Sequence, residues 1–190
     1  MRLLTIGLRH WTAPVELRER VDFSRAGLAT ALEALSVRGL GRDVVVLSTC
    51  NRAEIYGVVE SDGAREGMAR FFSDYHGIDH SRVEGHLYRH EDADAARHLF
   101  RVAAGLDSLV VGEPQILGQV KTAYAAAREH RTTGPLMNRL FDSAFAVWKR
   151  VRTETGLGEG AVSVSYAAIA LAKKIFGDLR DTGTGMECFA

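Results

Sequence analysis

Two observations predict an α+β fold. Over residues 1–90, apolar β-branched runs alternate with helical patterns, and after Glu91 helical periodicity takes over almost throughout. A third observation says where chemistry sits. The apolar run Val44–Leu47 gives out into the polar turn Ser48-Thr49-Cys50-Asn51-Arg52, and loops held by a rigid scaffold carry function disproportionately.

The elements follow in order. Leu3–Leu8 is apolar enough for a strand, and Pro14 then opens a short helix with Glu16 and Glu19 in its first turns. Ser24 is the expected N-cap of a helix whose apolar stripe is Leu28, Ala31, Leu32 and Leu35. Val44–Leu47 and Ile55–Val59 are the second and third strands, with Cys50 in their connection. Met68, Phe71, Phe72 and Tyr75 space a helix over Ala64–Tyr75, and His86–Tyr88 is a short fourth strand. This β-α-β-β-α-β order suits a ferredoxin-like antiparallel sheet with helices on one face.

Beyond it, Asp92 or Asp94 caps a helix carrying Ala95, Leu99, Val102 and Ala103 inward. Gly105 and Gly112 bracket the apolar turn Leu109-Val110-Val111. Helical patterns then run over Gln115–His130 and Pro135–Thr153, making a helical bundle. Gly156, Gly158 and Gly160 break the chain before a long, Ala-rich helix over Val162–Phe176 that Gly177 ends. Its apolar residues fit either packing on its own bundle or support of a further domain.

Composition narrows the class. With 24 basic and 24 acidic residues the chain is formally neutral, so nucleic-acid contact needs a local patch rather than a global charge. Two cysteines, Cys50 and Cys188, and no signal-peptide pattern predict a reduced, cytoplasmic setting. No run is long enough to span a bilayer, no CxxC pattern appears, and no metal is expected.

The turn at Cys50 is the candidate reactive centre. Thiolate is the nucleophilic form of cysteine, and a neighbouring cation such as Arg52 favours it. A lone cysteine is commonly a small buried hydrophobe; the polar company of Cys50 argues for chemistry instead.

Four blocks together resemble the glutamyl-tRNA reductase family. They are Gly7–Val15 with Leu17-Arg18-Glu19, Leu47–Glu54, His98–Lys121, and Val151–Thr155 with Ala161–Ser165. The resemblance covers residues 1–179 in register. It implies reduction of glutamyl-tRNA(Glu) to glutamate-1-semialdehyde with NADPH, an oxidoreductase step that feeds porphyrin and other tetrapyrrole biosynthesis. Transfer of the acyl group to sulfur divides a hard step into two easier ones. By resemblance Cys50 is the nucleophile, His98 assists near it, and Thr49, Asn51 and Arg52 belong to the substrate pocket. Arg52 would grip a carboxylate in bidentate fashion. Ser108, Glu113, Pro114, Gln115 and Gln119 match the family's glutamate site. Read from the residues alone, His98 could equally sit on a solvated helix face with Glu91, Asp92 and Asp94. The remaining histidines receive no role. Arg139, Lys149, Arg150 and Arg152 are candidates for tRNA phosphates, with Phe145 and Trp148 assigned to the core.

The expected domains are a catalytic domain over 1–155 (α/β sandwich 1–90, helical part 91–155), the start of a connecting helix over 156–179, and a tail outside the family over 180–190. The family's nucleotide-binding and dimerisation domains find no counterpart here. Gly183 and Gly185 form only a GxG fragment without the flanking strand and helix. The chain therefore reads as truncated, limited to thioester formation and slow ester hydrolysis. The resemblance also implies a homodimer in the intact protein and an aminomutase partner that receives the aldehyde. The alternatives are a non-catalytic module binding tRNA or a partner, and an inert fragment.

Overall fold

The computed structural model describes residues 1–40, 43–155 and 157. The connecting helix expected over Val162–Phe176, the glycines at 183 and 185 and Cys188 lie outside the described residues.

The chain runs β1 (Arg2–Arg9), α1 (Val15–Arg20), α2 (Leu28–Val37), β2 (Val44–Thr49), β3 (Arg52–Val59), α3 (Asp62–His76), α4 (Ser81–Glu84) and β4 (Tyr88–Glu91). The helices α5 (Asp92–Ala103), α6 (Gln115–Glu129) and α7 (Pro135–Glu154) follow. The sheet order is β2-β3-β1-β4, with every neighbouring pair antiparallel.

Every residue of β1 from Leu3 to Leu8 is buried. Side chains alternate across a strand, so continuous burial requires cover on both faces. The sequence predicts one helical face for residues 1–90; the opposite face of the sheet is covered by α5 and α7 of the helical part that follows. Gly57 faces α3, where an added Cβ would meet Met68 and Val44. Glu54 and Tyr56 face the other way, onto His98 of α5 and Phe141 of α7. Beside the outer edge of β2, the Val44 N–H donates to the Thr132 carbonyl at 2.6 Å, and the Thr132 hydroxyl donates back to Val44 O at 2.9 Å. Pairing these groups removes part of an open strand edge.

Several boundaries move for local reasons. β2 and β3 reach Thr49 and Arg52, whose pairing closes a two-residue turn over Cys50 and Asn51. The fourth strand begins at Tyr88 rather than His86. Gly27, not Ser24, is the N-cap of α2, because the Ser24 hydroxyl is already bonded to Asp22 at 2.6 Å. Glu91 occupies the N-cap of α5, while the Asp92 carboxylate accepts the Leu3 N–H at 3.0 Å.

Candidate active site: a thiol turn backed by a buried charge cluster

The β2–β3 turn presents its cysteine without glycine. Cys50 and Asn51 avoid the positive φ that a primed hairpin turn requires. The Thr49 hydroxyl instead accepts the N–H groups of Asn51 and Arg52, both at 3.2 Å. Arg18 of α1 braces the turn from outside, donating to the Cys50 carbonyl at 2.6 Å. The result is an exposed, free thiol.

That thiol opens on a cavity of about 310 Å3. Thr49, Cys50, Asn51 and Arg52 form one wall; Ser108, Glu113, Gln115 and Gln119 form the other. The structure thus gathers eight sequence-predicted site residues around one space. Pro114 does not line it; it is the N-cap of α6 between Glu113 and Gln115. The second wall is a loop pinched at its base. Gly105 and Gly112 have φ of +75° and +82°, and the Gly112 N–H donates to Gly105 O at 2.9 Å. A Cβ on Gly105 would lie 3.2 Å from Gly112 Cα, so both the conformation and the close approach require glycine. The Ser108 hydroxyl is buried and finds no protein partner among the described residues.

Arg52 is the link to a second layer. It is 2% exposed. Its Nη1 donates to Glu54 Oε1 at 3.0 Å and its Nη2 to the Asp107 carbonyl at 2.5 Å. Both terminal nitrogens therefore already hold a protein partner, which leaves three of the five N–H donors of the guanidinium. The bidentate grip on a carboxylate expected of Arg52 meets a guanidinium already engaged by this internal clamp.

Glu54 gathers the cluster. The Tyr56 and Tyr88 hydroxyls donate to its carboxylate, and His98 Nε2 lies 3.0 Å from Oε1. Burial alone would raise the Glu54 pKa; the charge of Arg52, then His98, overcomes this and holds it well below the usual carboxylate range. His98 is 4% exposed, so it is not on a solvated helix face. It does not line the thiol cavity, and it reaches that cavity through Glu54 and Arg52.

Asp107 joins loop to cluster. Its carboxylate accepts Arg101 at 2.7 and 3.1 Å and Arg9 at 3.4 Å, and lies 3.7 Å from His98 Nδ1. Burial pushes its pKa up, but the bond and charge of Arg101, with His98 and Arg9, bring it below its ordinary value. The sequence reading assigned no role to Glu54, Asp107, Tyr56 or Tyr88. The visible signal was a glutamate two residues after Arg52 in the strand Arg52–Val59, whose other residues are uncharged.

The basic residues of α7 line neither this cavity nor the neighbouring one beside Trp11. Arg150 is tied to Glu154 at 3.0 and 3.2 Å, and Arg152 lies over the Trp148 ring at 5.7 Å.

Fold and site together describe an α+β domain that offers one thiol to a polar pocket backed by a closed charge cluster. The chain belongs to the glutamyl-tRNA reductase family, because residues 6–155 match the model of the glutamyl-tRNAGlu reductase N-terminal domain. It is 51% identical over 194 aligned positions to glutamyl-tRNA reductase of Syntrophotalea carbinolica, covering 99% of this chain and 44% of that protein. Against the Marinobacter nauticus enzyme it is 49% identical over 179 residues, 94% of this chain and 42% of the relative. The solved structure of glutamyl-tRNA reductase from Methanopyrus kandleri superposes with a TM-score of 0.69 at 36% identity, over 94% of this chain and 41% of that one. The chain thus spans less than half the length of these relatives.

Proposed function

We propose that this chain is the acyl-accepting, catalytic domain of a glutamyl-tRNA reductase, the NADPH-dependent enzyme that yields glutamate-1-semialdehyde for tetrapyrrole synthesis. The observation that carries this reading is the convergence of Cys50 with Ser108, Glu113, Gln115 and Gln119 around one cavity. Cys50 Sγ attacks the acyl carbon of the glutamyl ester, the carbon–sulfur bond forms, and the ester bond to the tRNA ribose breaks. The thiol proton leaves with the displaced ribose oxygen. Glu113 suits the substrate's ammonium, and the unpartnered Ser108 hydroxyl suits a substrate oxygen or nitrogen. We read Arg52 as both carboxylate partner and clamp, and His98 as a residue that positions it through Glu54.

NADPH supplies the hydride in the reductase reaction. The described residues do not fit it: the sheet is antiparallel, and no glycine-rich strand-to-helix turn leads into a parallel crossover. The chemistry of these residues therefore ends at the acyl–sulfur bond. The strand order, with its two β-α-β halves, supports the ferredoxin-like reading of residues 1–90. The end of the family match at residue 155 supports a domain boundary there.

Intact-protein mass after mixing with glutamyl-tRNA tests the proposal. An alkali-labile glutamyl adduct is expected on the wild type and not on Cys50→Ser. Folded wild type that neither gains the adduct nor accelerates loss of the aminoacyl ester would overturn it.

A further inference from the structure

A second cavity, of about 510 Å3, adjoins the thiol pocket and is assigned no role by the acyl-transfer chemistry. Arg9, Trp11, His90, Arg97, Arg101 and Asp107 bound it. Trp11 is 54% exposed. The Arg9 guanidinium sits 4.3 Å over its ring. Arg97 and Arg101 are one helical turn apart on α5 and reach the same mouth. Asp94 also borders the cavity and holds Arg97 at 2.5 Å, but these side chains are 66% and 70% exposed, and such surface pairs are readily exchanged. Three guanidiniums against the carboxylates of Asp94 and Asp107 leave a positive excess at the mouth. Arg9 Nε and His90 Nε2 are buried without a partner among the described residues.

The relation to the thiol is direct. His98 and Asp107 line this cavity, and the Asp107 carbonyl holds Arg52 of the thiol pocket. Leu106 borders one cavity and Leu109 the other, on the same short loop. A substrate whose acyl end lies at Cys50 can lead the rest of itself past this loop. Arg101 is held by Asp107 at 2.7 Å yet 51% exposed, and an aromatic platform beside exposed guanidiniums is the chemistry that holds a single-stranded nucleotide, base on ring and phosphate on arginine.

We propose that Trp11, with Arg97 and Arg101, forms a stacking and phosphate site for the 3′-terminal nucleotides of the acyl-bearing RNA. The assignment rests on the acyl-transfer reading above. Both Trp11 and Arg97 are exposed, so their removal leaves the core intact.

The test follows the indole N–H resonances of the two tryptophans, Trp11 and Trp148, by 15N NMR, assigned with Trp148→Phe. The probe is the trinucleotide CCA. The Trp11 resonance is expected to shift saturably while Trp148 stays still. Arg97→Ala is expected to weaken binding severalfold and flatten its salt dependence. In competition with glutamyl-tRNA, Trp11→Ala should weaken binding roughly tenfold. A silent Trp11, equal movement of both indoles, or a response to NADP+ but not to CCA would each overturn the proposal. The two readings fail separately: a Cys50 adduct beside a silent Trp11 sinks only the nucleotide site, whereas a responsive Trp11 without any adduct or ester loss sinks the acyl-transfer reading.

Discussion

His98 Nε2 lies 3.0 Å from Glu54 Oε1, and both side chains are sealed from solvent, at 4% and 0% exposed. An ionised carboxylate only accepts, so Nε2 carries the hydrogen in this contact. Arg52 Nη1 meets the same oxygen. One carboxylate thus ties a helix, α5, to the strand that delivers Cys50.

Removing that carboxylate should be costly. Glu54→Ala would leave the buried Arg52 charge without its partner, a loss of about 3–5 kcal/mol. Glu54→Gln keeps an acceptor and the shape, and should cost less while still impairing adduct formation on Cys50. Urea unfolding of the two variants beside the wild type measures the order; equal stability of all three would refute the hub.

Acid should act through the same groups. Glu54 and Asp107 have folded pKa values below their ordinary 4.5 and 3.8. A depressed carboxylate contributes stability that is fully present above its unfolded value and is lost as pH falls toward the folded one. The urea midpoint should therefore drop below about pH 4.5, with a shallower acid limb in Glu54→Gln.

The alkaline side has the opposite sign. Burial, then the Glu54 charge, raises Tyr56 and Tyr88 well above their ordinary value of 10.0. Their contribution is intact below that value and fades as pH rises through the folded pKa. In a spectrophotometric titration, Tyr56→Phe should remove a late-titrating phenol rather than an early one.

Gly7 pairs with Glu54 across β1 and β3. A Cβ there would lie 2.5 Å from the Ala53 carbonyl and 2.7 Å from Glu54 Cγ. Gly7→Ala must therefore push the strands apart or turn Glu54 out of the cluster, at about 1–3 kcal/mol. Thermal unfolding reads the first effect and the adduct rate on Cys50 the second.

Asp107 should control the loop. With Asp107→Ala the Arg101 and Arg9 bonds go, and hydrogen exchange at the Gly112 amide, bonded to Gly105 O at 2.9 Å, is expected to quicken about tenfold. Asp107→Asn should fall between. Unchanged exchange in Asp107→Ala would mean the glycine pinch alone holds the loop.

Much of the fold was legible because its signals are local. Alternation of apolar runs with helical periodicity located the described elements apart from the single turn of α4 (Ser81–Glu84), and the turn at Cys50 was visible as a break in polarity. The paired glycines at 105 and 112 marked the loop that walls the thiol. Cap and strand ends were less legible, since Ser24 and Asp92 spend their oxygens on Asp22 and on the β1 backbone, partners that local pattern does not reveal.

The sequence by itself determined the α+β class and the thiol turn, through periodicity and turn chemistry, while the residues around the thiol were carried by the family resemblance. Only the tertiary structure decided that helices cover both sheet faces, that Arg52 is clamped from within, and that His98 serves Glu54 instead of lining the thiol pocket. The reason is that burial and charge pairing depend on which distant segments meet: Glu54 and His98 lie 44 positions apart, and nothing in either neighbourhood states that one will close on the other.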